Sequence, residues 1–140
     1  SNVETVIFRE GMKKIPYRSL YKSTSVTNVV IPGSVETIAK EAFYECSNAQ
    51  ITLPTSLKVA GEYSFYRTKV SSIDNTSLVT IGASAFRECE NLTSVKLPDT
   101  VKSIGKYAFY DDPYLGTFEL NDGLESIKEN KKTKRKKDKN

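Results

Sequence analysis

Histidine and tryptophan are missing altogether from these 140 residues, and cysteine occurs only twice. Without histidine there is no imidazole base near neutral pH, no Ser-His nucleophile pair and none of the usual His-containing zinc sets. The two thiols, Cys46 and Cys89, are 43 residues apart with no second cysteine beside either, which excludes a CxxC redox or metal motif. No run approaches the roughly 18 apolar residues of a membrane-crossing helix. Carboxylates are plentiful but scattered, and no pair is forced into a cleft where two pKa values could be driven apart. Catalysis is therefore the least supported class, and no catalytic, cofactor-binding or metal-binding residue is assigned.

Charge is unevenly spread. The net charge is +4, but residues 128–140 hold eight Lys/Arg against two acids, or +6, which leaves residues 1–127 at −2. A mildly acidic body and a strongly basic end are two different kinds of chain. The domain reading is a folded unit over residues 1–127 and a disordered basic tail over 128–140.

What the body does contain is a phrase repeated every 22 or 23 residues, over 3–25, 26–47, 48–69, 70–91 and 92–114, with a partial sixth copy from 115. Self-similarity at this period signals a solenoid, because one copy cannot bury its own apolar face and must stack on its neighbours. Each copy opens with period-two alternation, Val95-Lys96-Leu97 in the fifth, matched at Val6/Phe8, Val29/Ile31, Ile51/Leu53, Ile73/Asn75 and Phe118/Leu120. That is a half-buried strand. Pro32, Pro54 and Pro98 end it, since proline offers the ladder no N–H. A second apolar pair follows, Met12/Ile15, Val35/Ile38, Leu57/Ala60, Leu78/Ile81, Val101/Ile104 and Leu124/Ile127, and reads as a second short strand.

The column inside that second pair runs Lys13, Glu36, Lys58, Val79, Lys102, Glu125, so stacking sets opposite charges side by side. Next comes a small residue followed by a large apolar one, Ser19-Leu20, Ala42-Phe43, Ser64-Phe65, Ala85-Phe86 and Ala108-Phe109, expected in a short helical turn. One position later stand Tyr21, Tyr44, Tyr66, Arg87 and Tyr110, either a strip for stacking sugars or bases or a row packed along the flank. Cys46 and Cys89 occupy matching places two units apart. At about 4.8 Å per step their separation exceeds the roughly 7 Å reach of a disulfide, so free, buried thiols are expected.

The strings ETIAKEAFYECSNA, VTIGASAFRECENLTSVKLP and KSIGKYAFYDDPYL resemble BspA-like leucine-rich repeats of 22 to 23 residues, and the resemblance covers residues 3–127. It implies an α/β leucine-rich-repeat solenoid, right-handed, with a curved parallel sheet, short second strands and short helical turns. It also implies a recognition or adhesion module without catalytic residues, on the cell surface or secreted. Departures from the pattern are Asn75 where an inward leucine belongs, Ala60 for isoleucine and Leu20 for phenylalanine. After Ser126-Ile127 the pattern would give Gly-x-x-Ala-Phe, and this chain gives Lys128-Glu129-Asn130.

With the inward residues fixed by the alternation, the outward ones form two columns. The first is Thr5, Asn28, Gln50, Ser72, Ser94 and Thr117, all uncharged in a chain that is 27% charged. The second is Ile7, Val30, Thr52, Asp74, Lys96 and Glu119, apolar at one end and charged at the other. This face suits a protein or glycan ligand, host extracellular matrix included, with Ile7 and Val30 as anchor and Asp74, Lys96 and Glu119 as discriminators. Strand propensity alone would also favour many of these residue types.

A second reading is an intracellular scaffold, nuclear or cytoplasmic, directed by the cluster Lys131, Lys132, Lys134, Arg135, Lys136 and Lys137, which could also grip nucleic acid or anionic lipid. Two sequons, at Asn75 and Asn91, would accept glycans on a eukaryotic secretory route.

Overall fold

In a computed structural model of the chain, residues 4–127 are described. The readings made for Val3 and for the basic tail at 128–140 lie outside the described residues. Eleven strands alternate between two roles. The first strands are β1 (Glu4–Ile7), β3 (Val26–Val30), β5 (Gln50–Ile51), β8 (Ser94–Lys96) and β10 (Thr117–Glu119). The second strands are β2 (Lys14–Ile15), β4 (Thr37–Ile38), β6 (Val59–Ala60), β7 (Thr80–Ile81), β9 (Ser103–Ile104) and β11 (Ser126–Ile127). Every pairing is parallel and joins a residue to its counterpart one unit on, as in Ile15↔Ile38 and Phe118↔Val95.

The continuous sheet is the one built from the shorter strands. All six second strands pair in the order β11-β9-β7-β6-β4-β2, whereas the first strands divide into β1-β3-β5 and β10-β8. The division falls in unit four, and residue spacing explains it. Nine positions separate Ile51 from Ala60, and likewise Val29 from Ile38 and Val95 from Ile104, but only eight separate Ile73 from Ile81. Unit four is one residue short where units two, three and five carry their Ile-Pro or Leu-Pro step, so its chain turns early. Ile73 stays fully buried, yet no strand forms around it. Asn75 is consequently exposed, a correction to the inward position that the alternation gave it.

One apolar core runs the length of the stack. Phe43, Phe65, Phe86 and Phe109 form a file of fully buried rings with centroids 5.5, 5.1 and 5.6 Å apart. Phe8 and Phe118 meet its two ends edge-on. Leu20, where unit one lacks the phenylalanine, is only partly buried.

The expected helical turns are not helices: no helix occurs among the described residues. Each unit instead makes consecutive tight turns with two non-glycine residues at positive φ, four positions apart. They are Arg18/Lys22, Glu41/Glu45, Tyr63/Arg67, Ser84/Glu88 and Tyr107/Asp111, at φ 53–61°. Left-handed conformations are unfavourable for such residues, and hydrogen bonding compensates. Alternate N–H groups donate forward to the next unit, as Leu20 to Ala42 O (2.8 Å), Phe43 to Ser64 O (2.9 Å), Phe65 to Ala85 O (2.9 Å) and Phe86 to Ala108 O (2.8 Å). Intervening ones close turns within their own unit, as Tyr44 to Glu41 O (3.3 Å). The turns thus form a third ladder, in which every donated N–H between units points the same way.

Ion pairs follow the stack. Glu36 lies between Lys13 (4.0 Å) and Lys58 (3.8 Å), and Lys102 meets Glu125 (3.5 Å), as the column of charges implied. Exposed pairs of this kind contribute about 0–1 kcal/mol each. Their main effect is on register.

Candidate functional site

All twelve residues of the two outward columns are exposed. Pairing brings Thr5, Asn28 and Gln50 into one row, sets Ile7 beside Val30, and aligns Ser94 with Thr117 and Lys96 with Glu119. Ile7 is 71% exposed and Val30 43%, unusual for apolar side chains side by side. Thr52, Ser72 and Asp74 lie outside paired strands, so the face is two patches with a break between them. Asp74 partly bridges the break: its carboxylate accepts the Lys96 backbone N–H at 3.1 Å, replacing a ladder bond. It therefore holds structure as well as charge.

A small recess of about 120 Å³ opens at the break, lined by Thr52, Ser71, Ser72, Asn75 and Thr76 over Ile51 and Leu53. Near it the two sequons differ. The Ser77 hydroxyl, which completes the sequon at Asn75, donates to Thr55 O at 2.7 Å, whereas Thr93, which completes the one at Asn91, is exposed with no such bond among the described residues.

The turn flank carries most of the tyrosines. Tyr44 stands between Tyr21 (4.9 Å) and Tyr66 (4.8 Å), so both faces of its ring are covered. Tyr63 packs against Tyr44 and Tyr66, and Arg18 lies 4.1 Å over Tyr21. Further along, Arg87 covers Tyr110 and Tyr107 at 4.9 and 5.5 Å. A sugar or base needs a free ring face, and this file spends its faces on itself. The row is a packed flank. Sequence reading found the row but not Tyr63 and Tyr107, which sit three residues earlier at the left-handed positions.

Beyond the turns runs an open groove of about 740 Å³ lined by Lys22, Glu45, Arg67, Lys69, Glu88, Glu90 and Asp111, among others. Arg67 bridges Glu45 and Glu88, each at 3.0 Å. Opposite charges here answer one another, which fits a register clamp rather than a site for one ion. Among the described residues no group of three His, Cys, Asp or Glu could hold a metal.

Both cysteines are free and buried. The Cys46 thiol donates to Leu20 O at 2.7 Å and the Cys89 thiol to Phe65 O at 3.2 Å, while the buried Asp112 carboxylate accepts the Cys89 N–H at 2.7 Å. Burial pushes Cys46 up to about 11. Cys89 rises too, through burial and then the Asp112 charge. Because the folded value lies above the unfolded one, the stabilising contribution is complete below about pH 9 and is lost as pH climbs towards the folded value. The denaturation midpoint is expected to fall between about pH 9 and about pH 11, with neither thiol alkylated by iodoacetamide at pH 8 until the protein is unfolded. Rapid labelling of native protein at pH 8 would contradict this.

Residues 13–131 match the family described as "BspA type Leucine rich repeat region", in six copies. The fold is similar to a leucine-rich repeat protein from Bacteroides ovatus, with a TM-score of 0.74 and 28% identity over 86% of this chain and 34% of that one. It is also similar to the T. pallidum leucine-rich repeat protein, with a TM-score of 0.60 and 22% identity over 88% of this chain and 72% of that one. This chain therefore spans about a third of the B. ovatus protein's length. No curated protein matches it.

Proposed function

This chain belongs to the BspA-type leucine-rich repeat family, whose members generally serve as binding scaffolds, and from that premise we propose a non-catalytic recognition module. Its ligand is a protein or glycan, host extracellular matrix among the candidates, held on the outward face of the first-strand sheets. The observation that carries this reading is the pairing of Ile7 with Val30, an exposed apolar anchor, beside a row of uncharged polar side chains. Interfaces concentrate their energy in such small apolar centres ringed by polar groups. Asp74, Lys96 and Glu119 add discrimination by charge.

The expected result is that Val30→Glu combined with Lys96→Glu weakens retention on an immobilised extracellular-matrix preparation at least tenfold, about 1.4 kcal/mol, with thermal stability near wild type. Unchanged retention would dismiss this face. The protein is proposed to act at the cell surface or after secretion, and on a eukaryotic secretory route Asn91 rather than Asn75 is the preferred glycan acceptor, since Thr93 is the freer hydroxyl.

The basic run at 131–137 supports a second reading, an intracellular or nuclear scaffold whose residues 128–140 form a separate addressing segment. Antibody labelling of intact and permeabilised cells separates the two. Signal only after permeabilisation, leaving the nucleus when residues 128–140 are deleted, would favour the second.

A further inference from the structure

We propose that the recess at unit four is a subsite for one sugar residue of a neutral carbohydrate, an inference that rests on the ligand face proposed above. The recess exists because a residue is missing. With unit four turning early, β5 pairs only with β3, and among the described residues no hydrogen bond joins residues 50–53 to residues 71–75. Ala49 still gives its carbonyl to the Lys69 N–H at 3.1 Å. Backbone groups alternate sides along an extended chain, so those of Ile51 and Leu53 point the same way, into the space that unit four has vacated.

The side chains around them are uncharged. The Thr52 and Ser71 hydroxyls and the Asn75 amide make no hydrogen bond to another protein group among the described residues. Donors and acceptors are therefore both on offer, with no countercharge. An ionic ligand would lose hydration there without compensation, whereas a sugar hydroxyl both donates and accepts. Beneath lie Ile51 and Leu53, almost fully buried, an apolar floor for the C–H face of a ring. A peptide strand cannot insert, because Ile73 still fills the rung. At about 120 Å³ the recess is far smaller than the roughly 300–1,000 Å³ of a drug-sized pocket. It would hold one ring, with the rest of the chain running along the stack over Gln50 and Ser94, which flank it in the uncharged column.

The test is a printed array of neutral oligosaccharides and their sialylated and sulfated counterparts, probed with the 140-residue chain. Neutral glycans should be retained without advantage to the acidic ones. Ser71→Phe, which fills the recess, should weaken that binding at least tenfold, and Thr52→Val, which removes a hydroxyl with little change of shape, severalfold. Binding that survives both substitutions but is lost in Val30→Glu would overturn the subsite and leave the face standing. Absence of neutral glycan binding, or preference for acidic glycans, would also overturn it. Val30-dependent retention on matrix protein would then show that the face reading holds on its own.

Discussion

Replacing Phe86 by alanine is expected to cost about 3–5 kcal/mol, the usual range for emptying a fully buried aromatic site. Its ring lies 5.1 Å from Phe65 and 5.6 Å from Phe109, within 2° and 8° of parallel. Relaxation that would soften such a loss requires neighbours to move in, and here they cannot easily do so. The second-strand sheet and the turn ladder on either side of the file fix the distance between units. A domain of this size has about 5–15 kcal/mol in all, so the substitution removes a large fraction of it. Units in a solenoid are held mainly by their neighbours, and unit four already lacks its first-strand bonds. Guanidinium unfolding should therefore show a lower midpoint and a broader or divided transition. A loss near 1 kcal/mol with a sharp single transition would mean that the file is not the spine of the stack.

Gly105→Ala should be the other severe change, at about 1–3 kcal/mol or more for an overpacked site. A Cβ built there would lie 2.4 Å from the backbone N of Ala83 and 2.7 Å from its Cα. Those atoms belong to the preceding unit, immediately beside β7, and Gly105 itself donates its N–H to Ile81 O at 2.7 Å. Relief would require parting two rungs. Gly33→Ala is the matched control, because nothing lies within 4 Å of its Cβ position, and it should be close to neutral. Gly61 and Gly82 stand in the same column, with Cβ positions 2.7 Å from Lys40 N and 2.7 Å from Glu62 N, so the close approach recurs at each of these glycines and is tightest at Gly105. Similar melting temperatures for the two variants would contradict the close approach.

The repeat made much of this legible in advance. Once the period is known, inward residues such as Val29, Ile51, Val95 and Ile104 can be read directly, and so can the pairs Lys13–Glu36 and Lys102–Glu125, which are distant in sequence and adjacent in the stack. The turns were not legible. Ala-Phe steps carry helical propensity, and the residues that go left-handed are arginine, lysine, glutamate, tyrosine, serine and aspartate, with no glycine to mark them. What fixes them is the row of carbonyls on the next unit, a tertiary cause that no local window contains. The break in the first-strand sheet lay in between. Asn75 signalled irregularity, and counting from each first-strand apolar residue to its second would have placed the missing residue between Ile73 and Leu78. The two outward columns were legible from alternation alone, whereas the recess between them depends on that one deletion.

The one-way direction of the turn ladder bears on how such chains arise. Every unit offers its predecessor carbonyls and its successor N–H groups, as Phe43 does through its N–H to Ser64 and Ala42 does through its carbonyl to Leu20. Any unit is thus a valid neighbour for any other, provided that it enters in the same orientation. Duplicating or deleting one whole period by unequal recombination leaves every junction chemically closed, whereas the loss of one residue just after the first-strand position, as in unit four, opens a local gap. Array length can therefore drift in steps of 22 or 23 residues at small structural cost, and new surface features arise from slips smaller than a step.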